Sequence, residues 1–134
     1  MTESQGPGPD PAPFRARPSP TAQRLTDDVR TADILADMAA LFDSAARITS
    51  RGLTLFADPV DDTFRLAAEA ILIRLAEMSA RLPATFQSTH PGAPWDALRA
   101  VRNRIAHDYR SVDGAIIWEV LENRLPDFRR TLGI

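Results

Sequence analysis

The chain of 134 residues contains no cysteine and no lysine. Without cysteine there is no disulfide framework, no thiolate zinc site and no thiol nucleophile. Without lysine there is no Schiff-base chemistry and no lysine of a Walker-type phosphate loop. All 16 positive charges are arginine, so any phosphate must be held by guanidinium groups or backbone amides. The arginine bias and the abundance of alanine fit a GC-rich coding composition. Two histidines are too few for a multi-histidine metal centre, and no metal site or cofactor is expected. Long apolar runs are also missing: each is broken within a few residues by Arg, Asp or Glu, so no membrane span is expected. No basic head followed by an apolar core opens the chain, so a secretory signal is not expected and the cytoplasm is the default location. The net charge is −2 with an isoelectric point near 5.6, so contact with a polyanion would have to be local.

What is present reads as helix. Residues 1–20 hold six of the 11 prolines together with Gly6 and Gly8; that density predicts a disordered or extended tail ahead of a helical domain over 21–134. Leu25, Val29, Ala32, Leu35, Ala36, Ala39 and Phe42 fall at helical spacing and predict a helix over about 24–50, with Thr26 as cap and Asp27 and Asp28 in its first turn. Arg51-Gly52 ends it, and 52–60 reads as a loop. Phe64, Ala67, Ala68, Ile71, Leu72, Leu75, Met78 and Leu82 predict a largely buried second helix over 60–82, stopped by Pro83. Residues 83–94 form a connector with a short turn at Ala84–Gln87. A third helix opens at Pro94-Trp95 and ends near 107–109, with Trp95, Leu98, Val101, Ile105 and Ala106 toward the core. A fourth covers about 112–131, with Pro126 kinking it. The fold class is all-α: an up-and-down bundle of four main helices plus a short connector turn.

The chemistry concentrates between Pro94 and Asp113. Arg99, Arg102, Asn103, Arg104, His107, Asp108, Tyr109 and Arg110 lie within twelve positions, and Tyr109 is the only tyrosine. Asn103 and His107 share a helix face, with Arg99 one turn earlier. Arg102 and His107 are five apart, about 140° around a straight helix. They meet at one target if the helix frays before His107, or if two copies approach across a dimer axis. Such a cleft suits metal-free cleavage of RNA. Histidine exchanges a proton with the ribose 2′-hydroxyl or the leaving 5′-oxygen. Arginine holds the phosphate in a bidentate fork. The place of His107 beside Asp108 near a helix C-terminus suits a general acid. Tyrosine can stack on a base. The plainer alternative is a solvated helix face with Arg104 and Asp108 as a weak i,i+4 pair.

Arg102-Asn103-Arg104-Ile105-Ala106-His107-Asp108-Tyr109 resembles the R-x4-H-x-Y motif of the HepT-like toxins of the HEPN superfamily. Pro94-Trp95 with Leu98-Arg99-Ala100-Val101 is similar to that family's helix opening, and Val112-Asp113 with Ile117-Trp118 to its continuation. The likeness spans about residues 24–132. It implies a dimeric α-helical ribonuclease toxin with two motifs in a shared cleft, leaving RNA with a 2′,3′-cyclic phosphate. The implied partner is a minimal nucleotidyltransferase antitoxin that silences the toxin by transferring AMP to the motif tyrosine, here Tyr109. By the resemblance Arg102 and His107 are the catalytic pair, Asn103 orients the site and Tyr109 touches RNA; Arg99, one turn before Asn103 on the same face, is a further supporting RNA-binding candidate. The chain departs from many relatives in the second helix, where Ala70-Ile71 and Ala76-Glu77-Met78 stand for an Arg-Asn pair and a Gly-Glu-Ala run. Arg110-Ser111 likewise replaces an aromatic-glycine pair.

The remaining candidates read as ordinary structure. His90 is expected to be exposed in a loop, Trp95 and Trp118 to anchor core or interface, and Phe42, Phe56 and Phe64 to be core. Asp61-Asp62 is expected to compensate a helix dipole, and Glu69 and Glu77 to be surface or interhelical charges. The rival function is a non-catalytic helical module that binds a nucleotidyltransferase or a nucleotide.

Overall fold

The computed structural model describes residues 2, 6, 8, 16–108 and 112–134. Every regular element among them is helical, as the spacing of apolar residues predicted. Helix α1 runs Pro20–Ser50, α2 Leu53–Phe56, α3 Thr63–Arg81, α4 Ala84–Thr89 and α5 Trp95–His107. The last stretch is α6 Gly114–Glu119, a π-helical turn Val120–Arg124, and α7 Leu125–Leu132. No described helix is long and apolar enough to cross a membrane. Most of the tail expected over 1–20 lies outside the described residues.

Helix α1 begins four residues earlier than its apolar spacing suggested. Ser19 is its cap, accepting from the Ala22 amide at 3.2 Å, and Pro20 supplies a preset φ at the first position. Thr26 is therefore interior, and its hydroxyl donates back to the Ala22 carbonyl. The apolar residues of this helix fall on two faces. Ile34, Met38, Phe42, Ala45 and Ile48 are buried, while Leu25, Val29, Ala32 and Ala36 are exposed. Alanine and leucine are good helix formers wherever they sit, so a stripe that supports the helix need not be the stripe that packs.

Helix α3 is the centre of the bundle, packed against α1 and α5, with Leu72 and Leu75 fully buried. The Asp61-Asp62 pair starts it as expected, but the work falls to Asp61, whose carboxylate accepts from the Thr63 amide at 3.0 Å; Asp62 makes no side-chain cap. The stretch read as a loop over 52–60 contains α2, which buries Phe56 and lays it against Trp118, ring centroids 5.2 Å apart. Gly52 joins α1 to α2 at φ 92°, a conformation that favours glycine. The expected turn at Ala84–Gln87 extends to Thr89 as α4.

Pro126 acts on the last helix through hydrogen-bond register. Proline has no N–H for the carbonyl four residues back and its ring crowds that turn. Here the residues just before it wind as a π-turn, with the Leu125 amide reaching the Val120 carbonyl, and Pro126 sits near the start of α7. The extra residue keeps Ile117, Leu121, Leu125, Phe128 and Leu132 all buried. Phe128 meets Phe42 and Trp95 edge-on at 5.4 and 5.5 Å, which ties α7 to α1 and α5.

Candidate functional site

Helix α5 is amphipathic. Leu98 and Ile105 are buried, Trp95 and Val101 half-buried, and Arg99, Asn103, Ala106 and His107 exposed. Ala106 thus lies on the solvent face, not toward the core. Asp96 stands in the first turn and Arg104 and His107 in the last, each at the end where the helix dipole favours its sign. Trp95 locks the start of the helix: its indole N–H donates to the His90 carbonyl at 3.0 Å. His90 itself is half-buried, stacked on Phe86 at 4.2 Å with Nδ1 2.9 Å from the Phe86 carbonyl oxygen, so it finishes α4 and does not hang free in a loop.

The helix continues unbroken through His107, and the Asp108 amide still reaches the Arg104 carbonyl at 2.9 Å. In this structure the helix is therefore not frayed before His107, and Arg102 and His107 keep the divergence of a regular helix. Arg102 stands at the margin of the solvent face, 38% exposed. Its guanidinium donates to Asn103 Oδ1 at 3.2 Å and lies 3.9 Å from Glu77 of α3. Arg99 pairs with Asp96 at 3.4 Å. Exposed pairs of this kind contribute at most about 1 kcal/mol. Neither arginine is locked away from a phosphate. Tyr109, Arg110 and Ser111 lie outside the described residues.

Glu77, Gln87, Trp95, Arg99, Arg102 and Asn103 help line a groove of about 280 Å³ between α3, α4 and α5. Gln87 is held there by its own amide, which donates to the Ser79 carbonyl at 2.9 Å. A larger groove of about 500 Å³ opens between α5 and α7 over Leu72, Val101 and Phe128. It receives none of the side chains of Arg99, Arg102, Asn103 or His107, so volume does not pick out the chemistry here. The first groove adjoins two arginines, two side-chain amides and a carboxylate, which is a setting for a phosphate with an attached polar group.

Glu69 departs from expectation most clearly. It is 7% exposed, and Arg65 Nε approaches it at 3.3 Å while Arg65 Nη2 donates to the Val112 carbonyl at 2.7 Å. The signal was in the sequence: Glu69 stands one helical step from Leu72 and one from Arg65, inside the apolar stripe.

An all-α bundle with an Arg-x4-His motif ending an amphipathic helix is the class these observations define. Within that class, a sequence model described as ribonuclease HepT-like matches residues 32–133, and the chain belongs to that family. A protein named "Probable ribonuclease HepT" from Thermococcus cleftensis is 27% identical over 55 residues, covering 41% of this chain and 50% of that relative. A protein with a provisional RNase name from Caldanaerobacter subterraneus subsp. tengcongensis is 29% identical over 56 residues, 42% of this chain and 50% of its own length. The chain thus spans about half the length of these curated relatives in the matched region. No solved structure matches it. The family match begins inside α1, twelve residues after that helix starts.

Proposed function

We propose that the protein is a metal-independent endoribonuclease acting as the toxin of a toxin–antitoxin pair. The observation that carries this is an unbroken α5 presenting His107 to solvent at its C-terminus and a half-exposed Arg102 one and a half turns earlier, in a chain of the HepT-like family. Arg102 holds the scissile phosphate and steadies charge on the phosphorane, and Asn103 orients that guanidinium. Arg99 and Tyr109 contact the RNA strand.

The two groups diverge by about 140° on one helix, so the reading includes a homodimer whose two motifs face one cleft. Solvent takes the proton from the 2′-hydroxyl, whose oxygen attacks phosphorus, and the histidine of each Arg102–His107 pair gives a proton to the departing 5′-oxygen as the P–O5′ bond breaks. The products are a 2′,3′-cyclic phosphate and a 5′-hydroxyl. The partner is a minimal nucleotidyltransferase. Tyr109 oxygen attacks the α-phosphorus of ATP, pyrophosphate leaves, and the added AMP brings bulk and negative charge to the place where the RNA phosphate sits.

The test is cleavage of RNA by the purified protein in EDTA, wild type against His107→Ala, with the 3′-ends identified. Cyclic phosphate from the wild type and its loss in the variant support the reading. Full activity in His107→Ala sinks the site assignment. A wild-type protein of confirmed unmodified mass that cleaves nothing leaves the non-catalytic nucleotidyltransferase-binding module as the function. Incubation with the partner and ATP adds AMP-sized mass to the wild type and none to Tyr109→Phe.

A further inference from the structure

Arg65 and Glu69 make a contact that the proposed chemistry does not use. Glu69 is a carboxylate inside the bundle, and a buried carboxylate is costly unless it is paired. Arg65, four residues earlier on α3, meets it with Nε at 3.3 Å and spends its other arm on a distant backbone group, the Val112 carbonyl at 2.7 Å. A guanidinium is suited to this because its donors diverge in one rigid plane, so the same group serves a carboxylate and a carbonyl at once. Val112 is five residues past His107 in the chain, and its own side chain is buried. Immediately after it, Asp113 caps α6 by accepting from the Ala115 amide at 2.9 Å.

The contact therefore bridges α3, the best-packed helix, to the point where the chain re-enters the core after α5. We infer that Arg65, braced by Glu69, is a positioning residue: it anchors the chain at Val112, five residues past His107, and so limits how far the last turn of α5, with His107, can open. The reasoning is one of connectivity. The last turn of a helix has carbonyls without intrahelical partners and is the first to fray. His107 is the terminal residue of α5, held on its far side by the Asp108 amide bond to Arg104. Anchoring the chain a few residues further on limits how far that turn can open. The catalytic part of this inference rests on the ribonuclease reading. The ordering of the α5 end does not.

The experiment compares wild type, Arg65→Met, Arg65→Lys and the double variant Arg65→Met/Glu69→Met, all well below their melting temperatures. Arg65→Met leaves a buried carboxylate unpaired and lowers stability; the double variant removes that charge and keeps the volume, so it reports on the clamp in a folded protein. Amide exchange of residues 105–108 should rise about tenfold or more in both methionine variants while the α3 core stays protected. RNA cleavage per folded molecule should fall about tenfold to a hundredfold in kcat with KM nearly unchanged, the signature of a misplaced group rather than of lost binding. Arg65→Lys keeps a cationic donor without the fork and should recover part of the rate. Unchanged exchange at residues 105–108 in the double variant overturns the inference, as does wild-type kcat in that variant. If the wild type itself cleaves no RNA, the ribonuclease reading fails and the exchange comparison alone decides the clamp.

Discussion

Arg102 and His107 differ in what surrounds them, and that separates their tests. His107 is exposed at the end of α5, so its removal takes nothing from the core. Arg102 touches Asn103 and Glu77, both exposed partners. Replacing Arg102 by lysine keeps one positive charge but loses the planar fork that grips two phosphate oxygens. The expected outcome is a fall in kcat of about tenfold to a hundredfold for Arg102→Lys, with unfolding free energy within about 0.5 kcal/mol of wild type because no buried contact is lost. Cleavage kinetics and urea unfolding on the same preparations check this. Wild-type kcat in Arg102→Lys would show that a point charge suffices and that bidentate grip is not used. The residues of the candidate site were legible because arginine, asparagine and histidine cluster on an otherwise plain amphipathic helix. The burial of Glu69 was legible too, since it stands inside the apolar stripe of α3; the second contact of Arg65 was not, because its partner Val112 lies 47 positions away along the chain, which spacing on one helix does not reveal.

At the scale of elements, the helix ends show how local chemistry and packing divide the work. Helix α3 is started by the carboxylate one position before its cap residue. Asp61 is fully exposed, and the Thr63 hydroxyl and amide that bond it hold its carboxyl below the ordinary range. A carboxyl depressed in the folded state contributes stability above its unfolded pKa, and that contribution is lost as pH falls through the lower folded value. Asp61→Asn should therefore melt at a slightly lower temperature than wild type at neutral pH, with the gap closing as the pH is lowered to about 3. Thermal melts of both proteins across that range check it, and a gap that widens on acidification would refute the assignment. The long helices α1, α3 and α5 were readable because each carries many apolar positions at one period. The four-residue α2 was not: Phe56 packs there on Trp118, a partner that the sequence of 52–60 does not contain. The face of α1 was misread for a related reason. Leu25 and Val29 satisfy helical spacing, but α1 has no buried residue before Ile34.

The described residues form one bundle in which Phe128 bridges Phe42 and Trp95 and Arg129 reaches Asp43 of α1 at 2.7 Å. The course of α5 in that bundle matters for the proposed chemistry. Helix α5, tied at its start by Trp95 and helical through His107, sets the two motif positions about 140° apart around its axis. The proposed homodimer answers this with a two-fold axis that sets Arg102 of one protomer against His107 of the other. The consequence is testable by mixing two inactive proteins. Arg102→Ala has only the histidine and His107→Ala only the arginine, so neither homodimer contains a working pair. After subunit exchange at equal concentration half the dimers are mixed, and each mixed dimer holds one of two composite pairs intact, giving about one quarter of wild-type cleavage. Recovery should appear with the rate of subunit exchange and vanish when the two variants are kept apart. If each pair instead lies within a single chain, no mixture contains one. Absence of recovery, with mixed dimers verified by mass, would place the working pair inside one protomer and require α5 to open at its end during catalysis.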